Sequence, residues 1–389
     1  MDQGLGAEGV DHLTGIERLA FADGTYVAPS NLFDQAPTLV YPGFGAGSAA
    51  GGWSSQNVYP RLIADVNGDG LGDLVGIGDG GVVVALALAG GGFGAPSAPS
   101  GNFGAGLGAG GWGSNDQFPR TMADVNGDGR ADMIGFGSAG TYVAPGSGDG
   151  GIGVPFLAIG GFGNDPAAGG WASQSVYPRM AGDVNGDGLA DIVGFGDAGV
   201  HVALGVGGGS FATPYLATGN FGAGLSAGGW ADQDKYPRML ADANGDGRAD
   251  IFGFGDGGAF VALARADGSF APAMVASTGF GRSAEAGGWS SSGLYPRYAA
   301  DVNGDGFADI VGFGDGGVLV QLGNGDGSFA AVQYAVTGFG QGPSGGGWAS
   351  QDQFPRLVAD VTGDGRADIV GFGDSGVYVA PALGFVVAG

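Results

Sequence analysis

The 389-residue chain has no cysteine. No disulfide holds its fold and no thiol does chemistry. Basic residues are scarce: 13 Lys and Arg stand against 38 Asp and Glu, a formal net charge of -25. That argues against nucleic acid or an anionic membrane as partner, since both need Lys or Arg. It leaves cation binding open. No run of 18 apolar residues exists, so no membrane-spanning helix is expected. The first residues, MDQGLGAEGVDH, lack the basic and apolar regions of a signal peptide, and the chain reads as a piece of something longer. The two histidines, His12 and His201, stand outside the repeated positions, and Glu8, Glu17 and Glu285 are scattered. A glycosidase needs two carboxylates poised at different pKa values across one bond. Without a unique pair of that kind, no enzymatic activity is expected. A hydrolase depending on one irreplaceable carboxylate is the competing reading.

What the chain does have is glycine, 92 residues of it, beside an apolar fraction of 44%. There is no collagen-like triplet, and so much apolar residue argues against disorder. Many short strands and tight turns fit this composition. The order behind it is a repeat. Trp53, Trp112, Trp171, Trp230, Trp289 and Trp348 are 59 residues apart, as are Phe44, Phe103, Phe162, Phe221, Phe280 and Phe339.

One unit divides into a loop, GGWGSNDQFPR, and four strand-like runs, TMADV, MIGFG, TYVAP and VPFLAIGGF, joined by Gly-rich turns. The runs alternate little, so both faces of each sheet are expected to be covered. A propeller provides that, since each blade packs between two others; a β-solenoid is the competing geometry. The sixth unit lacks its fourth strand, and QAPTLVYPGFG near the start aligns with that strand. The expectation is an all-β, six-bladed β-propeller of four-stranded antiparallel blades, its last blade closed by the N-terminal strand. The propeller would span residues 36–389, after a leader of residues 1–35.

Between the first two strands of each unit lies D-x-N-G-D-G-x-x-D. Oxygen donors at positions 1, 3, 5 and 9, with Gly for a sharp turn, suit a hard cation such as calcium. The candidate ligands are Asp65, Asn67, Asp69 and Asp73; Asp124, Asn126, Asp128 and Asp132; Asp183, Asn185, Asp187 and Asp191. They continue with Asp242, Asn244, Asp246 and Asp250; Asp301, Asn303, Asp305 and Asp309; and Asp360, Asp364 and Asp368, where Thr362 replaces the Asn. Up to six structural Ca²⁺ are expected. A metal-free turn, with Asp and Asn accepting backbone N–H groups, is the alternative.

The acidic loop followed by ADIVGFG resembles the FG-GAP signature of integrin-α-like propellers. The whole unit, NFGAGLGAGGWGSNDQFPRTMADVNGDGRADMIGFGSAGTYVA, resembles the repeat of the Psathyrella velutina lectin family. That resemblance implies a lectin for N-acetylglucosamine-type glycans, with pockets between blades. A sugar pocket needs an aromatic face and a few fixed polar groups. The candidates are Trp53, Tyr59, Arg61 and Asp79; Trp112 and Arg120; Trp171, Tyr177, Arg179 and Asp197; Trp230, Tyr236, Arg238 and Asp256; Trp289, Tyr295, Arg297 and Asp315; and Trp348, Arg356 and Asp374. The second unit carries Phe118 and Ser138, and the sixth Phe354, in place of Tyr or Asp. Each Trp could equally be a packing anchor, and each Arg a brace within its blade. DHLTGIERLAFADGTY, residues 11–26, resembles the tail after bacterial RTX-type repeats, or is an ordinary leader strand. The resemblances imply a secreted or cell-surface protein, probed by glycans and monomeric. An integrin-like protein-binding or spacer propeller is the alternative.

Overall fold

Short runs of Val, Ile, Phe and Ala between Gly turns form strands of four to six residues. In the computed structural model, residues 31–34 and 37–383 are described, together with the strands Arg18–Phe21, Gly24–Val27 and Val386–Val387. Blade one is Arg61–Ala64, Asp73–Gly78, Gly81–Ala85 and Ser97–Ser100, each strand antiparallel to the next. Four more blades repeat this order, with first strands beginning at Arg120, Arg179, Arg238 and Arg297. The sixth has Arg356–Ala359, Asp368–Phe372 and Val377–Ala380, and takes its outer strand, Thr38–Tyr41, from the other end of the chain. First strands touch first strands all the way round, including Arg356–Ala359 against Arg61–Ala64. The ring is closed, which removes the solenoid. A separate small sheet joins Arg18–Phe21, Gly24–Val27 and Val386–Val387. Residues 1–17 of the expected leader lie outside the described residues.

Strand two is buried throughout its length in blades two to six, as in Asp191–Phe195, because neighbouring blades cover both faces. The core therefore lies between blades: Val193, Phe195, Val200 and Val202 pack on Ile251 and Ala262 of the next blade. The acidic loops form a second, polar ring. The N–H of Ala131 donates to the Asp65 carbonyl at 2.8 Å, and the pattern runs on until Gly72 N–H meets the Asp360 carbonyl at 2.8 Å. In every blade the register slips between strands three and four, for instance at Thr141/Tyr142 and Val200/His201. A bulge of this kind re-aims a side chain, and here it falls beside the cleft described next.

Candidate functional site

The segment from F-G to G-G-W links the outer strand of one blade to the inner strand of the next. Its Phe adopts a left-handed backbone in all six units, with φ between 55° at Phe339 and 62° at Phe103. Such a conformation is costly for a bulky residue and persists only where surroundings enforce it. In unit three the Phe162 ring packs against Trp171 at 5.1 Å, and the Phe162 carbonyl accepts from Arg179 Nη1 at 3.2 Å. Both rings lie on Gly194, where a Cβ would come within 2.6 Å of Trp171 and 2.7 Å of Phe162. Gly169, at φ +108°, ends the short 3-10 turn Pro166–Ala168 against the indole edge. Gly194→Ala is accordingly expected to cost about 1–3 kcal/mol by overpacking. It should blue- or red-shift the fluorescence of Trp171 alone; an unchanged melting curve would contradict the wedge.

The exposed side of this wedge opens into a cleft of about 600 Å³. Trp171, Tyr177, Asp197, Ala198, His201 and Pro214 line it. Tyr177 and His201 stand edge-on to Trp171 at 6.3 and 6.1 Å. The Tyr177 hydroxyl donates to Asp197 at 3.2 Å, and Asp197 is otherwise exposed. The same Tyr–Asp pair recurs at Tyr59–Asp79 (3.3 Å), Tyr236–Asp256 (3.3 Å) and Tyr295–Asp315 (3.0 Å). Burial and the carboxylate raise the pKa of Tyr59 and Tyr177; for Tyr295 the bond to Asp315 leads. These three phenols stay donors, and in all four pairs the hydroxyl fixes a carboxylate that can accept from a ligand hydroxyl. Asp256 is also paired with Arg282 at 3.0 Å. Unit five repeats the cleft with Trp289, Tyr295 and Asp315, and unit two with Trp112, Phe118 and Ser138.

Two sequence expectations change here. Arg61, Arg120, Arg179, Arg238, Arg297 and Arg356 are at most 2% exposed and line none of the clefts of units two, three and five, against the expectation that they face a ligand. Each guanidinium braces the ring instead: Arg238 donates to the Phe221 carbonyl of its own unit at 3.2 Å and stacks at 5.4 Å on Phe195 of the preceding blade. Burial lowers its pKa to about 9, still cationic at neutral pH. Secondly, His201 does occupy a repeated position, the second residue of strand three, in the cleft of unit three. The same position lines the clefts of units two and five, as Tyr142 and Leu319, and was not singled out from the sequence. It reads Val83, Tyr142, His201, Phe260, Leu319 and Tyr378, the one residue of changing chemistry between nearly invariant buried neighbours. Variation inside an otherwise constant strand was the available signal.

The acidic loops are held as hydrogen-bonded turns. Asp65 accepts from the N–H groups of Gly68, Asp69 and Gly70, and Asp69 from Leu71. Asp73 is buried and accepts from Val66 at 3.0 Å and Ala87 at 2.7 Å, tying the loop to the end of strand three. Arg130, Arg248 and Arg366 pair with Asp128, Asp246 and Asp364 in their own loops. Among the described residues no three acidic or histidine side chains are gathered closely enough to hold a metal as they stand. By donor type the loops still fit a hard cation, being all oxygen. Asp69 and Asp65 are also near enough to Asp73 to raise its pKa, after burial, to about 6. That mutual repulsion is what a bound cation would remove.

The model of the FG-GAP-like repeat matches residues 65–135 and 301–371. No curated protein matches the chain. Among solved structures the chain is similar to a lectin of Agrocybe aegerita, described for specific recognition of non-reducing terminal N-acetylglucosamine. The two are 39% identical, with 90% of this chain and 82% of that one covered and a TM-score of 0.68. A Photorhabdus luminescens Tc holotoxin pore is 17% identical, covering 92% of this chain but 16% of its own, with a TM-score of 0.55. That second likeness concerns the fold alone. A six-bladed ring, FG-GAP repeats and 39% identity over most of both chains lead to one conclusion: this chain belongs to the family of lectin-like FG-GAP β-propellers that includes the Agrocybe aegerita lectin.

Proposed function

We propose that the chain is a multivalent carbohydrate-binding protein whose clefts take N-acetylglucosamine-type sugars. The observation that carries this reading is the repeated pairing of a Trp face with an exposed carboxylate fixed by a tyrosine, in a relative of a lectin. The indole offers an apolar face to the C–H side of a pyranose. Asp79, Asp197, Asp256, Asp315 and Asp374 offer acceptors to its hydroxyls. The cleft of unit three is lined by one carboxylate, Asp197, that of unit two by none, and that of unit five by Asp315 and Glu285; no carboxylate pair recurs from cleft to cleft, and the reading is binding without bond cleavage. The propeller of residues 36–389 would act as a single-chain, secreted or surface-bound unit, its acidic loops loaded with calcium through the Asp and Asn oxygens of each. Calcium supplies positive charge between carboxylates there and takes no part in sugar contact. Several weak sites on one rigid ring gain about 10²–10⁴ in avidity on a glycan-bearing surface.

Isothermal titration with N-acetylglucosamine in calcium-containing buffer tests the reading. Saturable heat with several sites per chain is expected, and Asp197→Ala should subtract one site. Absence of heat at millimolar sugar, with capture of a protein partner instead, would sink it in favour of an integrin-like role.

A further inference from the structure

The six Trp junctions share a frame, but the hydroxyl on their aromatic wall changes place. Units one, three, four and five carry a tyrosine in the Trp loop, at Tyr59, Tyr177, Tyr236 and Tyr295, and none on strand three. Units two and six carry Phe118 and Phe354 in that loop. These same two units are the ones with tyrosine on strand three, Tyr142 and Tyr378. At these two positions each unit therefore has one tyrosine: never two, never none.

Packing does not force this exchange. In units two, four and six both positions are aromatic and both rings meet the Trp alike. The loop rings Phe118, Tyr236 and Phe354 stand 5.9, 6.1 and 6.5 Å from their indoles. The strand rings Tyr142, Phe260 and Tyr378 stand 6.3, 5.9 and 6.0 Å away, at 87°, 88° and 90°. Each strand ring also lies over the same glycine of its unit, 2.9 Å from where a Cβ would sit on Gly137, Gly255 or Gly373. Two ring sites are filled in the same way in all three units; only the oxygen moves. A constraint that keeps one hydroxyl per cleft while letting it change residues acts on what the cleft holds.

We infer that Tyr142 and Tyr378 are ligand-contacting residues that replace the loop tyrosine in clefts two and six. Their chemistry differs from that of the loop phenols. Tyr177 spends its proton on Asp197, whereas neither Tyr142 nor Tyr378 bonds to any described residue through its hydroxyl. Each keeps both a donor and an acceptor for a sugar. The clefts then form two classes: four that present a fixed carboxylate through a phenol, and two that present the phenol itself. In unit two Ser138 replaces the carboxylate, and Tyr142 lines the cleft with Ser138 and Asn102 as its polar side chains.

This inference rests on the carbohydrate-binding reading, and the test separates them. The number of N-acetylglucosamine molecules per chain is counted by titration for the wild type, for Y142F/Y378F, and for Y142F/Y378F with F118Y and F354Y added. The hydroxyls hold no partner among the described residues, so the melting temperature should not move. Binding in two of the clefts should weaken about tenfold, lowering the stoichiometry by two at intermediate sugar, and the added loop tyrosines should restore it. Unchanged stoichiometry and affinity in Y142F/Y378F, beside a wild type that binds, would overturn this inference alone. A wild type that binds no sugar would overturn the carbohydrate reading, and this inference with it.

Discussion

Arg238→Met is expected to destabilise the propeller by about 3 kcal/mol while leaving the sugar affinity of the other five clefts intact. The guanidinium is fully buried and reaches three ways. Its Nε meets the Gln233 side chain at 3.1 Å, Nη1 the Phe221 carbonyl at 3.2 Å and Nη2 the Val176 carbonyl of the neighbouring loop at 3.5 Å. Its face lies over Phe195 of the preceding blade. Methionine fills much of the volume but strands those acceptors, and a buried acceptor left unpaired costs about 1–3 kcal/mol. It also releases the Phe221 carbonyl, which helps hold that residue at φ 59°. Trp230 should therefore loosen along with the blade junction. Chemical denaturation followed by Trp fluorescence reads the loss. An Arg238→Met protein of unaltered stability that had lost sugar binding would return the arginine to the ligand site.

The arginines show what could not be read from the sequence. Six of 13 cations at a strict spacing, beside a Trp and a Tyr, look like ligand contacts. Burial decides otherwise, and burial depends on which strand is innermost in the ring, a tertiary fact. Blade number, strand order and closure by Thr38–Tyr41 were legible because the period never slips and each turn carries its own Gly or Asp-Gly chemistry. The Trp–Tyr–Asp wall was legible in part, since those residues recur. Its counterpart on strand three was not, because strand periodicity only says that alternate residues face opposite ways. It takes the bulge at Thr141/Tyr142 and the wedge on Gly135 to bring that face to the Trp. The acidic loop shows the converse. Its donors were plain in the sequence, yet the ninth-position Asp turns inward to backbone N–H groups, as Asp191 does to Val184 and Gly205.

Calcium is expected to reverse the pH dependence of stability, and this follows from those inward aspartates. Burial raises Asp73, Asp132, Asp191 and Asp368 to about 6 and Asp250 to about 7, with the other loop carboxylates adding to the rise. Asp309 is raised well above the usual range for the same reason. An unfolded Asp titrates near about 3.9. Between roughly pH 4 and 7 the native chain thus binds more protons than the unfolded one, so without metal its stability falls as pH rises through that window. The hairpin aspartates Asp149, Asp267 and Asp326, held low by serine hydroxyls, act below pH 4 and do not interfere. A cation in the loops favours the ionised carboxylates and competes with protons, so with calcium the stability should rise across the same window. Each site saturated at a hundred times its dissociation constant adds about 2.7 kcal/mol, and the loops are chained by backbone bonds into one ring, so several sites act on one unfolding step. Melting in chelator should therefore move to lower temperature from pH 5 to pH 7.5, and in millimolar calcium to higher temperature. A melting temperature indifferent to calcium at pH 7.5, with the acid-favoured slope intact, would mean that the six loops are turns held by hydrogen bonds alone.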